Sequence, residues 1–558
     1  MADTLRLIED KESEFSSLFG RMDKDRDLAY LAKYTLQDSK GKDIPNVVSV
    51  TMNDAAVFAN TVVSALIGAV MQTVVEGLSD KQNGVIERFL DNNYAQADER
   101  LSLGRISSLM AFWCNHIAIR GFIGARWLSQ LVGEKYVPDC LPIDMRYCVY
   151  EIGANGYNWV APKFTRSKGA IEKEYGIVIR DNEAEVTDFW DDDVNEIWID
   201  KKLVRSQKNP LGKPPFVIQA AATGFMLQDK GYLEHEGESI FMLDRDLYPE
   251  LNRIASIEQT LNMKVLLPPY QKPVETPGGP PPPYPDKPGQ VTEVLANQEY
   301  RLLEQSDLKA ASRMAHADIM SAIQRGSLSN VDYGNLTFPL SAVAIGDITE
   351  IRDKVLIPRL QALAIARLQL SRLLIDQYIK GGISADIGTT GKKQNYSATQ
   401  LGDPTKYTIT YKFMSKSRRQ EIANLSMAIA AKGTLSRDTI IRDIMQAQNP
   451  DQEIAKLEAE EAEQLDPSIK LYSRALSLID KADQLSGDEA DALYLQARAL
   501  VNRACELVKE RKMAMMAQPQ TNPQVPELEK GNVQPMLPLL SPGGAGRATQ
   551  PEEVAVGE

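Results

Sequence analysis

Residues 268–288 read PPYQKPVETPGGPPPPYPDKP, and ten of these 21 positions are proline, one third of the 30 prolines in the chain. Proline fixes φ at about −65° and removes the backbone donor, so no regular helix continues through such a segment. On both sides the sequence is proline-poor and carries apolar residues at helical spacing. One helix therefore runs out to a stiff irregular tip, and another runs back. That layout fits a long spike or stalk with a specialised end, more typical of an assembly part than of an enzyme.

At 558 residues the chain exceeds the size of one core and is expected to split into several folding units. Its 43 % hydrophobic and 25 % charged content is that of an ordinary globular protein. A net charge of −13 argues against binding nucleic acid by neutralising phosphates. It leaves open a surface that nucleic acid merely passes. Cys114, Cys140, Cys148 and Cys505 show no metal spacing and read as reduced thiols in a cytosolic setting. The opening MADTLRLIEDKESEF is acidic and helical, unlike a signal peptide. The most apolar stretch, VVSVTMNDAAVFANTVVSALIGAVMQTVV, is interrupted by Asn53 and Asp54 and falls short of the roughly 18–20 residues a membrane span requires. It reads as a buried helix.

The overall expectation is an α+β fold, mainly α. Segments 10–39, 52–78, 83–93 and 97–132 carry helical periodicity. From Tyr136 to about 225 the pattern is that of a β-rich insertion. Asn155-Gly156 between RYCVYEIG and YNWVAPKF predicts a hairpin with a primed turn. EAEVTDFW and NEIWIDKKLV predict another strand pair joined at Asp191, Asp192 and Asp193, and NPLGKPPFVIQAAAT leads into a further strand.

Helix resumes near Ser239, with Leu243, Leu247, Leu251, Ile254, Leu261 and Val265 as one apolar stripe and Pro249 near its start. It ends at Pro268. VTEVLANQEYRLLE reads as a strand or hairpin returning from the tip. Ser306 would cap a second helix that runs to Arg325, with Gly326 as its C′ residue. SLSNVDYGNLTFPLSAVAIGD is expected to be a mobile connection of about 20 residues. Residues 347–380 form the longest helical pattern, expected to kink at Pro358. A polar loop, GGISADIGTTGKKQNYSATQLG, precedes the alternating strand TKYTITYKF. Ser417 and Gln420 match a capping box for a helix to Lys432, ended by Gly433. Helices follow to about 515, and the last 43 residues are expected to be disordered.

This order of parts resembles the portal protein of tailed bacteriophages, the ring at one capsid vertex through which DNA is packaged and ejected. PIDMRYCVYEIGANGYNWV resembles portal wing strands. NPLGKPPFV followed by GESIF resembles the approach to the first stem helix, and KSRRQEIANLSMAIAAKGTLSRDTIIRDIM resembles the helices after the last wing strand. The resemblance covers roughly residues 10–515. It divides the chain into a wing (1–239, with the insertion at about 136–225), a first stem helix (240–267) and a proline-rich clip (268–306). A second stem helix (307–326), a tunnel loop (327–346) and a kinked tunnel helix (347–380) follow. A wing return (381–432), a helical crown (433–515) and a disordered tail (516–558) complete it.

The resemblance implies a dodecameric homo-oligomer found in the virion and assembled in the host cytoplasm, with no cofactor, no metal, no catalysis and no membrane. Its implied partners are the terminase large subunit, a tail adaptor or head-completion protein, the major capsid and scaffolding proteins, and double-stranded DNA passing non-specifically. Lys272, Glu275, Tyr284, Asp286 and Lys287 of the clip would dock the motor and adaptors. Prolines suit this role, since a pre-stiffened segment loses less entropy when it orders at an interface. Asn330, Asp332, Tyr333, Asn335 and Phe338 of the tunnel loop would meet DNA, and no Lys or Arg lies between Ser327 and Asp347. A neutral or acidic lining would let DNA slide. Lys309, Arg313 and Arg325 would form weak basic rings in the stem, with ion pairing on the helix surface as the alternative.

Catalytic signals are thin. GTTGKK near Gly388 lacks the first glycine of a phosphate-binding loop, and HEGES lacks the second histidine of a zincin. Asp188, Asp191, Asp192 and Asp193 read as a solvated turn, with a metal-dependent hydrolase as the alternative. His116 and His316 sit in helical patterns as packing or surface residues. SIKLYSRALSLIDKADQLSGDEADALYLQARALVNRACELVKERK resembles a tetratricopeptide-like helix pair, which keeps open a helical adaptor or scaffold protein that binds a partner through its C-terminal region.

Overall fold

The computed structural model describes residues 2–133, 135–224, 229–268, 270–278, 289–297, 308–328, 342–414, 418–445, 447, 450–482 and 488–516. The fold is mixed α and β, and no helix among the described residues is long and apolar enough to cross a membrane. The chain divides into two compact units, Met1–Lys456 and Leu457–Glu558.

The first unit opens with α1 (Ala2–Glu14), α2 (Ser16–Ala29) and α3 (Asp54–Gly68), then β1 (Val70–Glu76), α4 (Asp80–Leu103) and α5 (Leu109–Ile119). Three of the helical expectations fall short here, the first being the segment 10–39, which is helical only to Ala29. The segment 52–78 is helical only to Gly68, and 97–132 is helical only to Ile119. VMQTVVE forms β1, which pairs antiparallel with Thr408–Met414, from Glu76↔Thr408 to Val70↔Met414. A partner more than 330 residues away in sequence overrides the local periodicity. FIGARWLSQLV forms β2 (Phe122–Val132), so the β-rich region starts well before Tyr136. Gly121 sets this boundary. Its φ is 76°, and a Cβ there would fall 1.6 Å from the Gly237 carbonyl oxygen.

Next come β3 (Lys135–Ile143), β4 (Cys148–Gly153), β5 (Gly156–Ser167), α6 (Lys168–Tyr175), β6 (Glu183–Asp191), β7 (Val194–Ile199), β8 (Lys202–Lys208) and β9 (Phe216–Ala220). β4 to β8 form an antiparallel meander, and β2 is the centre of a second sheet between β3 and β9. The Asn155-Gly156 hairpin and the Asp191–Asp193 turn fall where the sequence places them. The aspartates there have structural partners. Asp188 accepts from Arg126, Trp190 Nε1 and Asn195, and Asp191 accepts the backbone N–H groups of Asp193 and Val194.

The chain continues through α7 (Tyr232–His235), α8 (Leu247–Leu266), β10 (Tyr270–Val274), β11 (Val291–Leu295), α9 (Leu308–Gly326) and α10 (Ala342–Lys380). α8 starts at Leu247 rather than near Ser239, with Pro249 in its first turn. VTEVL forms a short strand, one of the two forms expected of it, and β11 pairs in parallel with β10. α10 begins five residues earlier than its periodicity indicates and contains Pro358. Leu356, Leu363, Leu370 and Leu374 are buried, as their spacing requires.

The expected polar loop after α10 is instead a hairpin, β12 (Ser384–Thr389) with β13 (Lys392–Ser397). Gly391, at φ 86°, makes its turn possible, and Ala385, Ile387 and Tyr396 point into the core. Then follow α11 (Ala398–Leu401), β14 (Thr408–Met414), α12 (Arg418–Ala431), α13 (Arg437–Thr439) and α14 (Pro450–Leu465). Gly433, at φ 97°, follows the end of α12, whereas Ser417 lies outside the described residues.

The main core joins α3, α4, α5, β2, α10 and the β12–β13 hairpin. Trp113, Trp127, Phe89, Tyr378 and Tyr396 are fully buried there, and Trp113 Nε1 donates to the Gly124 carbonyl at 3.1 Å. Phe89 meets Tyr378 and Tyr396 edge to face, with centroids 4.8 and 5.4 Å away. Cys114, Cys140 and Cys148 are buried free thiols, while Cys505 is half-buried.

The second unit contains α15 (Pro467–Ala482) and α16 (Asp488–Met516), packed as an antiparallel pair. Small residues meet in its seam: Ser468, Ala475 and Ala482 from one helix, Ala497 and Ala504 from the other. Two contacts fix the register, Arg511 to Asp466 at 2.9 Å and Tyr472 Oη to Cys505 Sγ at 3.1 Å.

Candidate functional site

The helices α8 and α9 pack against each other on either side of the proline-rich segment, with the β10–β11 pair at their far end. The root of α8 is buried, but not along the stripe its leucines draw. Leu251 and Ile254 are in the core, whereas Leu243 and Val265 are exposed. A polar row replaces them: Asn252, Ser256 and Thr260 are buried.

That row holds an extended strap, residues 48–52. Val48 N–H donates to Thr260 Oγ1 at 3.0 Å, Val50 N–H to Ser256 Oγ at 2.8 Å, and Met52 N–H to Asn252 Oδ1 at 2.7 Å. The periods match. Four helical residues rise about 6 Å, and two extended residues span about 6.6 Å. The Ser256 and Thr260 hydroxyls donate their own protons to the carbonyls four residues back, which leaves their lone pairs facing the strap. The strap's alternate side chains work outward: Ser49 Oγ accepts from Leu36 N–H and Thr51 Oγ1 from Tyr34 N–H. A polar i, i+4, i+8 series inside an apolar helix was the available sequence signal for this contact.

The start of α8 is tied to the first helices by charge. Arg245 grips Asp25 through two bonds, at 2.6 and 3.1 Å, and also binds Glu238. Arg21 donates to the carbonyls of Arg120, Glu234, Glu236 and Gly237. Asp25 and Glu238 are essentially without solvent contact, so this network is a desolvated one.

Farther out, one clasp joins the two helices. Glu258 on α8 accepts from Ser312 Oγ at 3.1 Å and lies 3.2 Å from His316 Nδ1 on α9. Arg313 lines a cavity of about 370 Å³ beside this clasp, together with Leu261, Asn262 and Ala317. Beyond it the helix end turns apolar and uncovered: Val265 is 63 % exposed, Leu266 78 % and Tyr270 60 %.

Among the expected channel cations, Arg313 and Arg325 are exposed on α9. Lys309 is in α9, but its side chain is outside the described residues. Of the clip residues, Lys272 on β10 and Glu275 just after it are exposed, while Tyr284, Asp286 and Lys287 fall outside the described residues. So do Asn330, Asp332, Tyr333, Asn335 and Phe338 of the tunnel loop, and Ser306. Gly326 is the last residue of α9 and does not take the left-handed conformation expected of a C′ glycine. Its small size is needed for another reason, because a Cβ there would fall 2.1 Å from Asp244 Oδ1.

No protein-family model matches this sequence, and no curated protein is similar to it.

Among the described residues no three His, Cys, Asp or Glu side chains gather as metal ligands. The histidines have local partners. His116 stacks on Phe112 with centroids 3.8 Å apart, and His235 Nδ1 lies 2.9 Å from Glu238.

Proposed function

We propose that this chain is a portal protein: a subunit of a dodecameric ring at one capsid vertex, through which a terminase motor packages double-stranded DNA and from which that DNA leaves through the tail. The observation that carries the reading is the out-and-back pair α8 and α9. It packs as one hairpin, ends in a short parallel strand pair at the proline-rich tip, and is followed by the 39-residue helix α10, which returns into the same core as the root of α8.

In this reading the hairpin is the stem. Its exposed Val265, Leu266 and Tyr270 would be covered by neighbouring copies, and Arg313 and Arg325 would face the channel or pair across copies. Lys272 and Glu275 at the tip would meet the motor and, later, a tail adaptor. The ring would nucleate assembly with capsid and scaffolding proteins. The protein's own part would be to hold a passage open and catalyse nothing. The net charge of −13 suits a passage that must not grip phosphates.

Single-particle imaging of the purified full chain tests this. Rings with a central channel and about twelvefold symmetry are expected. A monomer or dimer, both alone and with scaffolding protein, would overturn it. Deleting residues 274–286 should leave the rings intact and abolish motor docking. The α15–α16 pair supports a second reading, a helical adaptor. It leaves Ile469, Tyr472, Leu476 and Val508 uncovered, as a partner-binding surface would. Monomers that capture a partner through residues 467–516 would favour it.

A further inference from the structure

Asp244 lies three residues before α8, where the end of α9 comes against it. Its carbonyl accepts the first N–H groups of α8, from Leu247 at 2.9 Å and Tyr248 at 3.3 Å. Its side chain lies against Gly326, the last residue of α9. Phe241 and Leu251, on either side of it in sequence, and Ile323, one turn before Gly326, belong to the main core. The side chain is 1 % exposed, and neither carboxylate oxygen has a hydrogen-bond partner.

A buried unpartnered carboxylate is costly when charged. The location adds to this cost. The carbonyls of Gln324, Arg325 and Gly326 fall beyond the helix's own hydrogen-bond ladder, and a helix C-terminus is the negative end of its dipole. A protonated carboxyl carries no charge into these surroundings and escapes that cost.

Among the described residues no cation pairs with this carboxylate. Arg245, next in sequence, is committed to Asp25 and Glu238, and Arg21 of α2 belongs to that network. Arg359 of α10 donates to the carbonyls of Val355 and Glu238. Arg325 and Asp246 are exposed, Glu250 pairs with Arg253, and His316 is held at Glu258.

We propose that Asp244 is a proton-operated latch: neutral, it fastens the end of α9 to the start of α8, and on losing its proton it releases that end. The latch therefore governs how firmly the last turn of α9 is held. The inference does not depend on the portal reading, because it concerns one chain's own contacts.

Burial raises the Asp244 pKa from 3.8 to about 6. The folded chain then binds this proton more tightly than the unfolded chain. The latch's contribution to stability is complete below about pH 4 and is lost as pH rises through about 6.

Hydrogen exchange of the full chain, corrected for the intrinsic effect of pH, provides the test. Between about pH 5 and about pH 7.5, amides 320–328 should lose roughly tenfold or more of their protection. Asp244→Asn should stay protected at both values, and His316→Gln should follow the unsubstituted chain. Unchanged protection in the unsubstituted chain would overturn the latch. So would loss of protection in Asp244→Asn at both pH values, since that would mean the anion is held by a cation. Abolition of the pH dependence by His316→Gln would assign the switch to the histidine instead.

Discussion

The core around α4, α5 and α10 and the hairpin of α8 and α9 are both helical, yet they are held in different ways. In the core, aromatic rings and leucines from several elements fill space, and Trp113, Phe89, Tyr378 and Leu370 have essentially no solvent contact. In the hairpin, polar contacts do the positioning: the strap on Asn252, Ser256 and Thr260, the Glu258 clasp and the Arg245 network. Packing fixes the first by many small contributions. The second is fixed by few bonds, each at a defined place, which leaves apolar side chains such as Leu266 uncovered. A region that meets other molecules can be aimed in this way without a core of its own.

The largest effect is expected from breaking the core. Trp113→Ala removes a fully buried ring and orphans the Gly124 carbonyl, at a cost of about 3–5 kcal/mol, and should unfold the first unit in urea before any change in the α15–α16 pair. Arg245→Met should be of similar or slightly smaller size, about 3–5 kcal/mol, because Asp25 is left buried without its partner. Its urea midpoint should fall sharply at neutral pH. The loss should shrink in acid, where Asp25, whose pKa burial raises, takes up a proton.

Ser256→Ala sharpens the comparison. It leaves the Val50 N–H unsatisfied and should cost about 1–3 kcal/mol. Hydrogen exchange should quicken at residues 48–52 while Trp113 and its neighbours stay protected. Glu258→Gln should change stability by less than about 1 kcal/mol, since the clasp is partly exposed. Leu266→Asp is expected to stay within about 0.5 kcal/mol for the single chain. On the proposed portal reading its effect should appear in ring assembly, scored by particle imaging. An equal fall in the single chain's own stability would mean that the tip is packed like the core.

The legible parts of this protein share one property: their cause is local. Asn155-Gly156 names its own turn, Pro268 stops its own helix, and the leucines of α10 repeat at the helical period from Leu356 to Leu374. The parts that were misread have distant causes. β1 reads as the end of a helix because its partner, β14, lies more than 330 residues downstream. GGISADIGTTGKKQNYSATQLG reads as a polar loop because its buried residues, Ile383, Ala385, Ile387, Tyr396 and Leu401, are spread among polar ones, and a two-residue turn with Gly391 closes the hairpin. At the candidate site the stripe Leu243 to Val265 named the helix correctly and its buried face in part: Leu251 and Ile254 are buried, Leu243 and Val265 are not. Asn252, Ser256 and Thr260 are buried because a strap from residues 48–52 supplies their donors.

By itself the sequence determined a helix that stops at Pro268 and a second helix after the proline-rich segment, since proline's missing donor and fixed φ act on whatever chain carries them. Tertiary structure decided which face of α8 is buried, where β1 and β2 begin, and that Asp244 rests without a partner on Gly326. Each of these depends on what a distant segment brings to the contact. A hydrogen bond or a desolvation cost is a property of two groups, and the sequence around one of them contains only half of it.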